Sequence, residues 1–211
     1  MDHKSAIQEI TRVLDEFFRT RGTVWAEMTD AVTASLEKGH KIYLFGNGGS
    51  AAEAQHFAAE LVNRFMKERR AIPAIALTAD TSSLTAIAND ASFERIFSRQ
   101  VEAFGAKGDV AIGLSTSGES KNVREGLRAA RAKGMVTVAL TGRGGGLIAA
   151  APAGKIGDRL VELSSARTAG GRAPIQVDFL LDVPSASTPR VQEAHLVLLH
   201  LLAEEIEKRL G

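Results

Sequence analysis

Apolar residues in the first forty positions recur every three or four residues. Ile7, Ile10, Val13, Leu14, Phe17 and Phe18 make one stripe, and Trp25, Met28, Ala31, Val32 and Leu36 make a second that stops at Gly39. That spacing is helical. Gly22, between the stripes, predicts a pair of helices over residues 1–40. The period then changes. KIYLF (41–45), AIPAIALT (71–78), GDVAIGL (108–114) and GMVTVAL (134–140) are short apolar runs that read as buried strands. Residues 51–67 and 115–133 read as helices between them, and a long Leu-rich helix over 188–210 closes the chain.

Strands alternating with helices predict βαβ units and a mostly parallel sheet. Ligands of such sheets bind outside the carboxyl ends of the strands. Four loops therefore become candidates: 46–50, 78–83, 115–120 and 141–146. One region breaks the rhythm. DRLVELSSA (158–166) resembles DFLLDVPSA (178–186) at an offset of twenty residues, with RTAGGRAPIQV between them. Two similar strands, or one strand beside an inserted copy, both satisfy the pattern. Chance likeness between two short apolar strands is the plainer alternative.

Composition narrows the class. The 211 residues include 26 Lys plus Arg and 25 Asp plus Glu, for a formal net charge of +1, and 45% are hydrophobic. This is the balance of one globular domain, without the broad basic face of a nucleic-acid binder. With Cys at 0, there is no disulfide framework, thiolate metal site or sulfur nucleophile. The amphipathic start lacks the apolar core of a signal peptide, and no run approaches the ~18 apolar residues of a membrane span. The expectation is a cytoplasmic protein with no membrane partner.

Two loops carry candidate chemistry. GNGGS (46–50) lies between a strand and a helix, so its glycines can turn tightly and offer N–H groups beside a helix N-terminus, which favours an anion. Gly46, Gly48 and Ala51 formally satisfy a dinucleotide pattern, but no acidic residue closes a second strand about twenty residues on. STSGES (115–120) sets Ser115, Thr116, Ser117 and Ser120 at the start of a helix. Four hydroxyls exceed what a cap needs and suit a neutral phosphate cradle; the G-K-[ST] ending of a Walker loop is missing. His56 and Glu60, spaced i,i+4, share a helix face and suit either a metal or a simple surface pair. In the last helix Gln192 and His200 are about 80° apart around the axis, and His195 is about 140° from His200. A His on a Leu-rich helix commonly serves as a core or interface group. Spacing alone leaves a sugar-phosphate or nucleotide site with no reaction assigned.

The blocks FGNGGSAAEAQHFAAELVNRF (45–65), PAIALTADTSSLTAIANDASFERIFSRQVEAFG (73–105), GDVAIGLSTSGESKNV (108–123), KGMVTVALTG (133–142) and VPSASTPRVQEAHLVLLH (183–200) resemble the sugar isomerase (SIS) family, and within it the phosphoheptose isomerases. The resemblance covers most of the chain except about 147–182. It implies a single SIS domain over 1–211, a three-layer α/β sandwich with a flavodoxin-like five-stranded parallel sheet. It also implies a homotetramer with active sites between subunits. The implied reaction is conversion of sedoheptulose 7-phosphate to glycero-manno-heptose 7-phosphate through an enediol, feeding nucleotide-activated heptose and lipopolysaccharide synthesis. Asn47, Gly48, Ser50, Asp90, Ser115, Thr116, Ser117, Ser120 and Gln192 would bind the sugar phosphate. His56, Glu60, Gln192 and His200 would gather around one zinc ion per subunit, and Glu60 with His200 would form the acid–base pair. Two His, a carboxylate and an amide oxygen are acceptable zinc donors, the amide being unusual.

The departure lies between the fourth and fifth strands, where about twenty extra residues sit. The expectation is that 178–183 forms the fifth strand, because it runs straight into VPSASTPRVQEAH, and that 158–166 is an edge or surface excursion. Three other functions share these motifs. A non-catalytic SIS adaptor bridging a replication initiator would not need a carboxylate at 60 and an imidazole at 200. A sugar-phosphate-sensing regulator would carry a DNA-binding segment. An isomerase of another sugar phosphate is only weakly excluded, since hydroxyl-lined loops tolerate several sugars.

Overall fold

The computed structural model describes residues 2–150 and 174–211. Strands β1 (Ile42–Phe45), β2 (Ala74–Ala76), β3 (Val110–Ser115), β4 (Val136–Thr141) and β7 (Phe179–Asp182) form one parallel sheet in the order β2-β1-β3-β4-β7. Two further strands, β5 (Ile148–Ala150) and β6 (Ile175–Val177), pair in parallel as a separate ribbon. The helices are α1 (His3–Glu37), α2 (Gly49–Val62), α3 (Thr81–Asp90), α4 (Ser98–Phe104), α5 (Lys121–Ala132) and α6 (Thr188–Leu210), with a 3-10 turn at Phe93–Arg95.

The strands read as unbroken apolar runs because both sheet faces are covered. Successive side chains point to opposite sides. Ile42, Leu44, Val110, Ile112, Leu114, Val138, Leu140, Phe179 and Leu181 pack with α1, α2 and α6. Tyr43, Phe45, Ala111 and Ala139 face the other way, with Ile96, Phe97, Val101, Val123 and Leu127. The predicted α/β sandwich with a five-stranded parallel sheet is the observed one. The fifth strand falls at Phe179–Asp182, paired with β4, as the run into VPSAS predicts. The second copy, 158–166, lies outside the described residues.

The expected pair of N-terminal helices is corrected. α1 is a single helix of 35 residues running through Gly22, about 52 Å long. A glycine inside a helix costs only about 1 kcal/mol. Burial of Val13 and Phe17 before it, and of Met28, Val32 and Leu36 after it, outweighs that. Arg21 beside it reaches across to Asp182 of β7, with Nε–Oδ1 at 2.6 Å and Nη2–Oδ2 at 3.0 Å. The helix ends where expected: Gly39 takes φ of 83° and terminates it.

Strand order reverses direction between β1 and β3. The chain leaves β1 toward β2 on one side and leaves β3 toward β4 and β7 on the other. The loops after β1 and β3 therefore flank a topological switch point, the place where open α/β sheets bind ligands.

Candidate active site

The loops after β1 and β3 are GNGGS and STSGES, and the structure joins them. Asn47 and Asn122 exchange two amide hydrogen bonds of 2.9 and 2.7 Å, locking the glycine loop to the first turn of α5. Asn122 was not among the sequence candidates; its place two residues after Ser120, opening the same helix, is the signal that could have found it. Gly46 is required by packing, because a Cβ there would lie 2.8 Å from the Cβ of Ser50 and 3.0 Å from the Leu114 carbonyl. Gly48 adopts φ of 56° as the residue before α2, a conformation that favours glycine.

In the serine loop, Ser115 is buried and its hydroxyl donates to Ser120 at 3.0 Å. The hydrogen of Ser120 stays available to a ligand oxygen. Ser117 is exposed and accepts from the Glu119 N–H at 3.1 Å. Thr116 is half-buried, and its carbonyl accepts from Gly142, which brings the end of β4 alongside. Lys121, the neighbouring cation, is paired with Glu94. Hydroxyls and helix N–H groups thus dominate this cradle. Asp90 ends α3, exposed and bonded to Asn89, and lines a surface cleft of about 400 Å³ with Arg95 and Arg99.

The titratable residues lie on two neighbouring helices, α2 and α6. His56 and His200 present their Nε2 atoms to each other at 2.9 Å, and Glu60 Oε1 is 3.4 Å from His56 Nε2. The two rings meet edge to face, and Phe65 stacks on His200 with ring centroids 5.5 Å apart. The His200 imidazole is held below the usual histidine range, first by burial and then by the neighbouring His56, with Glu60 pulling the other way. Its neutral form is therefore favoured.

Three of the four expected metal donors are thus adjacent, and Gln192 is not with them. Its amide lies against Gly49, where any side chain would collide with it. His56 is seven residues further along α2, about 10 Å up the axis. Two imidazoles and a carboxylate are suitable donor types for zinc. Even so, no set of three or more His, Asp or Glu side chains among the described residues is arranged as a metal centre.

Behind this cluster, sequence reasoning missed its support. The Glu207 carboxylate accepts the N–H groups of Phe65, Met66 and Lys67 at 2.8, 2.9 and 3.1 Å. Burial pushes Glu207 up, but these bonds and Arg69 outweigh it and hold its carboxyl below the usual range. Arg69 in turn donates to the carbonyls of Glu60 and Leu61 at 2.6 and 2.8 Å, satisfying the end of α2. This strap lays Phe65 on His200 and caps the helix that carries His56 and Glu60. A Glu and an Arg 138 positions apart carry no sequence signal of pairing.

One further pair lies deeper. Ser50 is buried three residues before Glu53 on α2, and its hydroxyl favours the charged form of the Glu53 carboxyl. Burial pushes Glu53 up to about 7, with the Ser50 hydroxyl opposing. His195, fully buried on α6, is pushed down to about 4 by burial, while its bond to the Thr141 carbonyl opposes. The expectation that His195 is a core residue matches its burial.

The chain is similar to known proteins in sequence and in fold. Residues 7–142 match the SIS domain family. A phosphoheptose isomerase of Desulfovibrio desulfuricans is 48% identical over 193 residues, covering 92% of this chain and 80% of that protein. One from Geobacter sulfurreducens is 46% identical over 199 residues, covering 94% and 92%. The structure of a phosphoheptose isomerase from Neisseria gonorrhoeae superposes with a TM-score of 0.76 at 38% identity, covering 97% of this chain and 96% of that one. A Francisella tularensis phosphoheptose isomerase gives 0.79 at 31%, with the same coverage. Among the described residues no helix is long and apolar enough to cross a membrane. With its sheet order, its two switch-point loops and these relatives together, the chain belongs to the SIS domain family and, within it, to the phosphoheptose isomerases.

Proposed function

We propose that this protein is an isomerase that converts sedoheptulose 7-phosphate to glycero-manno-heptose 7-phosphate. The observation that carries the reading is the meeting of Glu60 with His56 and His200 beside a switch point whose loops offer hydroxyls and helix N–H groups to a phosphate. The serine loop anchors the phosphate through Ser117, Ser120 and Thr116. Asn47, Gly48 and Ser50 border the sugar, and Gln192 at the α2 N-terminus contacts it.

The reaction moves one proton between C1 and C2. Glu60 takes the C1 proton of the ketose, the electron pair forms the C1–C2 double bond, and the carbonyl oxygen on C2 receives a proton from His200. Glu60 then returns its proton to C2 while His200 takes one from the C1 hydroxyl, leaving the aldehyde. A neutral imidazole suits this role, since it can polarise a carbonyl and exchange protons with two oxygens; triosephosphate isomerase uses the same division of labour between Glu and neutral His. The direction of the His200 shift supports it.

Zinc and assembly belong to the same proposal. His56, Glu60 and His200 would hold the ion, which would supply Lewis-acid polarisation of a substrate oxygen. A homotetramer would bring further groups, Asp90 among them, to shared sites. Exposed Ile7, Met66, Phe93 and Phe104 support association. The test is turnover of sedoheptulose 7-phosphate by the purified protein, with zinc added and then with chelator, beside a sizing measurement. Aldoheptose phosphate formed only with zinc supports both readings. Turnover surviving complete metal removal keeps the reaction and discards the metal. A loaded tetramer without turnover sinks the substrate assignment.

A further inference from the structure

The isomerisation uses one Glu–His set and leaves a second one idle. Glu53 of α2 and His195 of α6 face each other deeper in the same helix pair, with Glu53 Oε2 4.0 Å from His195 Nδ1. Both atoms are buried and have no hydrogen-bond partner among the described residues. Unpartnered polar atoms are costly inside a protein. Two of them aimed at each other beneath a substrate loop are more than packing requires.

The chemistry of the pair follows from its other contacts. His195 Nε2 is 3.2 Å from the Thr141 carbonyl oxygen. A carbonyl only accepts, so Nε2 carries the ring hydrogen and Nδ1 presents a lone pair. The partner that suits a lone pair is a donor, and a neutral carboxyl is one. Burial, which pushes Glu53 up to about 7, favours that neutral form. At 4.0 Å a direct bond is too long, so the brace proposed below requires one water bridging the two atoms. Ser50, buried in the first turn of α2 beside Gly48 and Gly49, lies three residues before Glu53, and its hydroxyl favours the charged form of that carboxyl.

We propose that Glu53 is a positioning residue for the glycine loop: its carboxyl, braced on His195 and through it on the Thr141 carbonyl, holds the Ser50 hydroxyl in the orientation that meets the sugar phosphate. The proposal rests on the function argued above and adds to it a buried brace behind the substrate loop.

The experiment compares E53Q, E53A, S50A and the S50A/E53A double variant in turnover of sedoheptulose 7-phosphate, with nitrogen NMR of His195 alongside. Glutamine keeps one donor and one acceptor, so E53Q retains kcat and KM within about twofold of wild type. E53A raises KM about tenfold, the scale of one lost hydrogen bond, with little change in kcat. S50A gives the same rise, and the double variant is no worse than either single one, because both remove the same interaction. NMR shows His195 with its hydrogen on Nε2 from about pH 5 to about pH 8, in wild type and in E53Q. A wild-type KM in E53A overturns the proposal, as do additive effects of S50A and E53A. So does a collapse of kcat in E53Q, which would make Glu53 a proton-transfer group. Where E53A does not fold, S50A, E53Q and the NMR decide. If wild type leaves sedoheptulose 7-phosphate unchanged, the assigned reaction fails. The brace is then judged by the His195 tautomer: its presence in wild type and E53Q supports it, and a hydrogen on Nδ1 overturns it.

Discussion

Helices α2 and α6 carry two Glu–His sets close together, and the sets differ in almost everything but residue type. In the outer set the His56 side chain is 47% exposed and that of Glu60 23%. In the inner set the side chain of His195 is 0% exposed and that of Glu53 11%. The outer nitrogens meet at 2.9 Å with a carboxylate beside them. The inner pair stands 4.0 Å apart, its His fixed on a backbone carbonyl. Contact with bulk solvent lets the outer groups exchange protons with a substrate, and burial leaves the inner groups as fixed dipoles. The same two side chains thus serve chemistry in one setting and alignment in the other, and environment alone separates them.

The sharpest way to break this comparison is to neutralise each Glu. Glu60→Gln removes the only feature by which the outer set takes a proton from carbon. Turnover should fall by about a hundred- to ten-thousandfold, while sedoheptulose 7-phosphate still binds by calorimetry. Wild-type-like turnover would falsify the assignment of Glu60 as base. Glu53→Gln should cost almost nothing in the same assay, and equal losses from both would erase the distinction.

Next in size is Glu207→Ala, which attacks the support of the outer set alone. It leaves Arg69 buried without its carboxylate and the N–H groups of residues 65–67 without an acceptor. Breaking one partner of such a buried pair costs about 3–5 kcal/mol, measurable by urea denaturation. Phe65 loses its anchor over His200, so kcat should fall in whatever fraction stays folded. The His195 tautomer should not change. An unaltered denaturation midpoint would mean that the strap supports nothing.

The inner pair is exposed by acid. Unfolded Glu and His titrate near 4.5 and 6.5, while the folded pair titrates near 7 and 4. Between about pH 4.5 and 6.5 the folded pair holds one proton on Glu53 and the unfolded pair holds one on His, so their contributions to the pH slope cancel. Glu53→Gln removes one half. His195, lowered on folding, then makes the variant lose stability as pH falls from about 6.5 toward 4. The full loss is on the order of 3 kcal/mol relative to its value at neutral pH. Thermal melts of wild type and variant across that window test it, and parallel curves would refute the buried pair.

The sheet was legible because its strands are unbroken apolar runs separated by glycine-rich turns, and the register into 178–183 followed from the segment after it. The N-terminal helix was misread because Gly22 weakens a helix locally, whereas packing of the whole face on the sheet and α6 decides its continuity. GNGGS and STSGES announced themselves by composition, and the i,i+4 spacing of His56 and Glu60 by geometry. Glu53 and Glu207 were silent. Their roles depend on what lies opposite across 142 residues of chain, and a charge on a helix looks the same in sequence whether it faces water or a buried imidazole.

The smallest effect tests the border between the two settings. Phe65 shields one face of His200 with its ring planes 26° from parallel, and burial is the leading cause that lowers the His200 pKa. Phe65→Leu keeps an apolar side chain but opens that face, at a stability cost of about 1 kcal/mol. His200 then moves back up toward the ordinary histidine range. Since the neutral ring is the working form, the acid limb of the kcat/KM profile should shift to higher pH. The basic limb and the rate on the plateau should hold. A limb that stays in place would show that His56 rather than the shielding governs His200. The outer set would then owe its setting to charge alone, with burial reserved for the inner one.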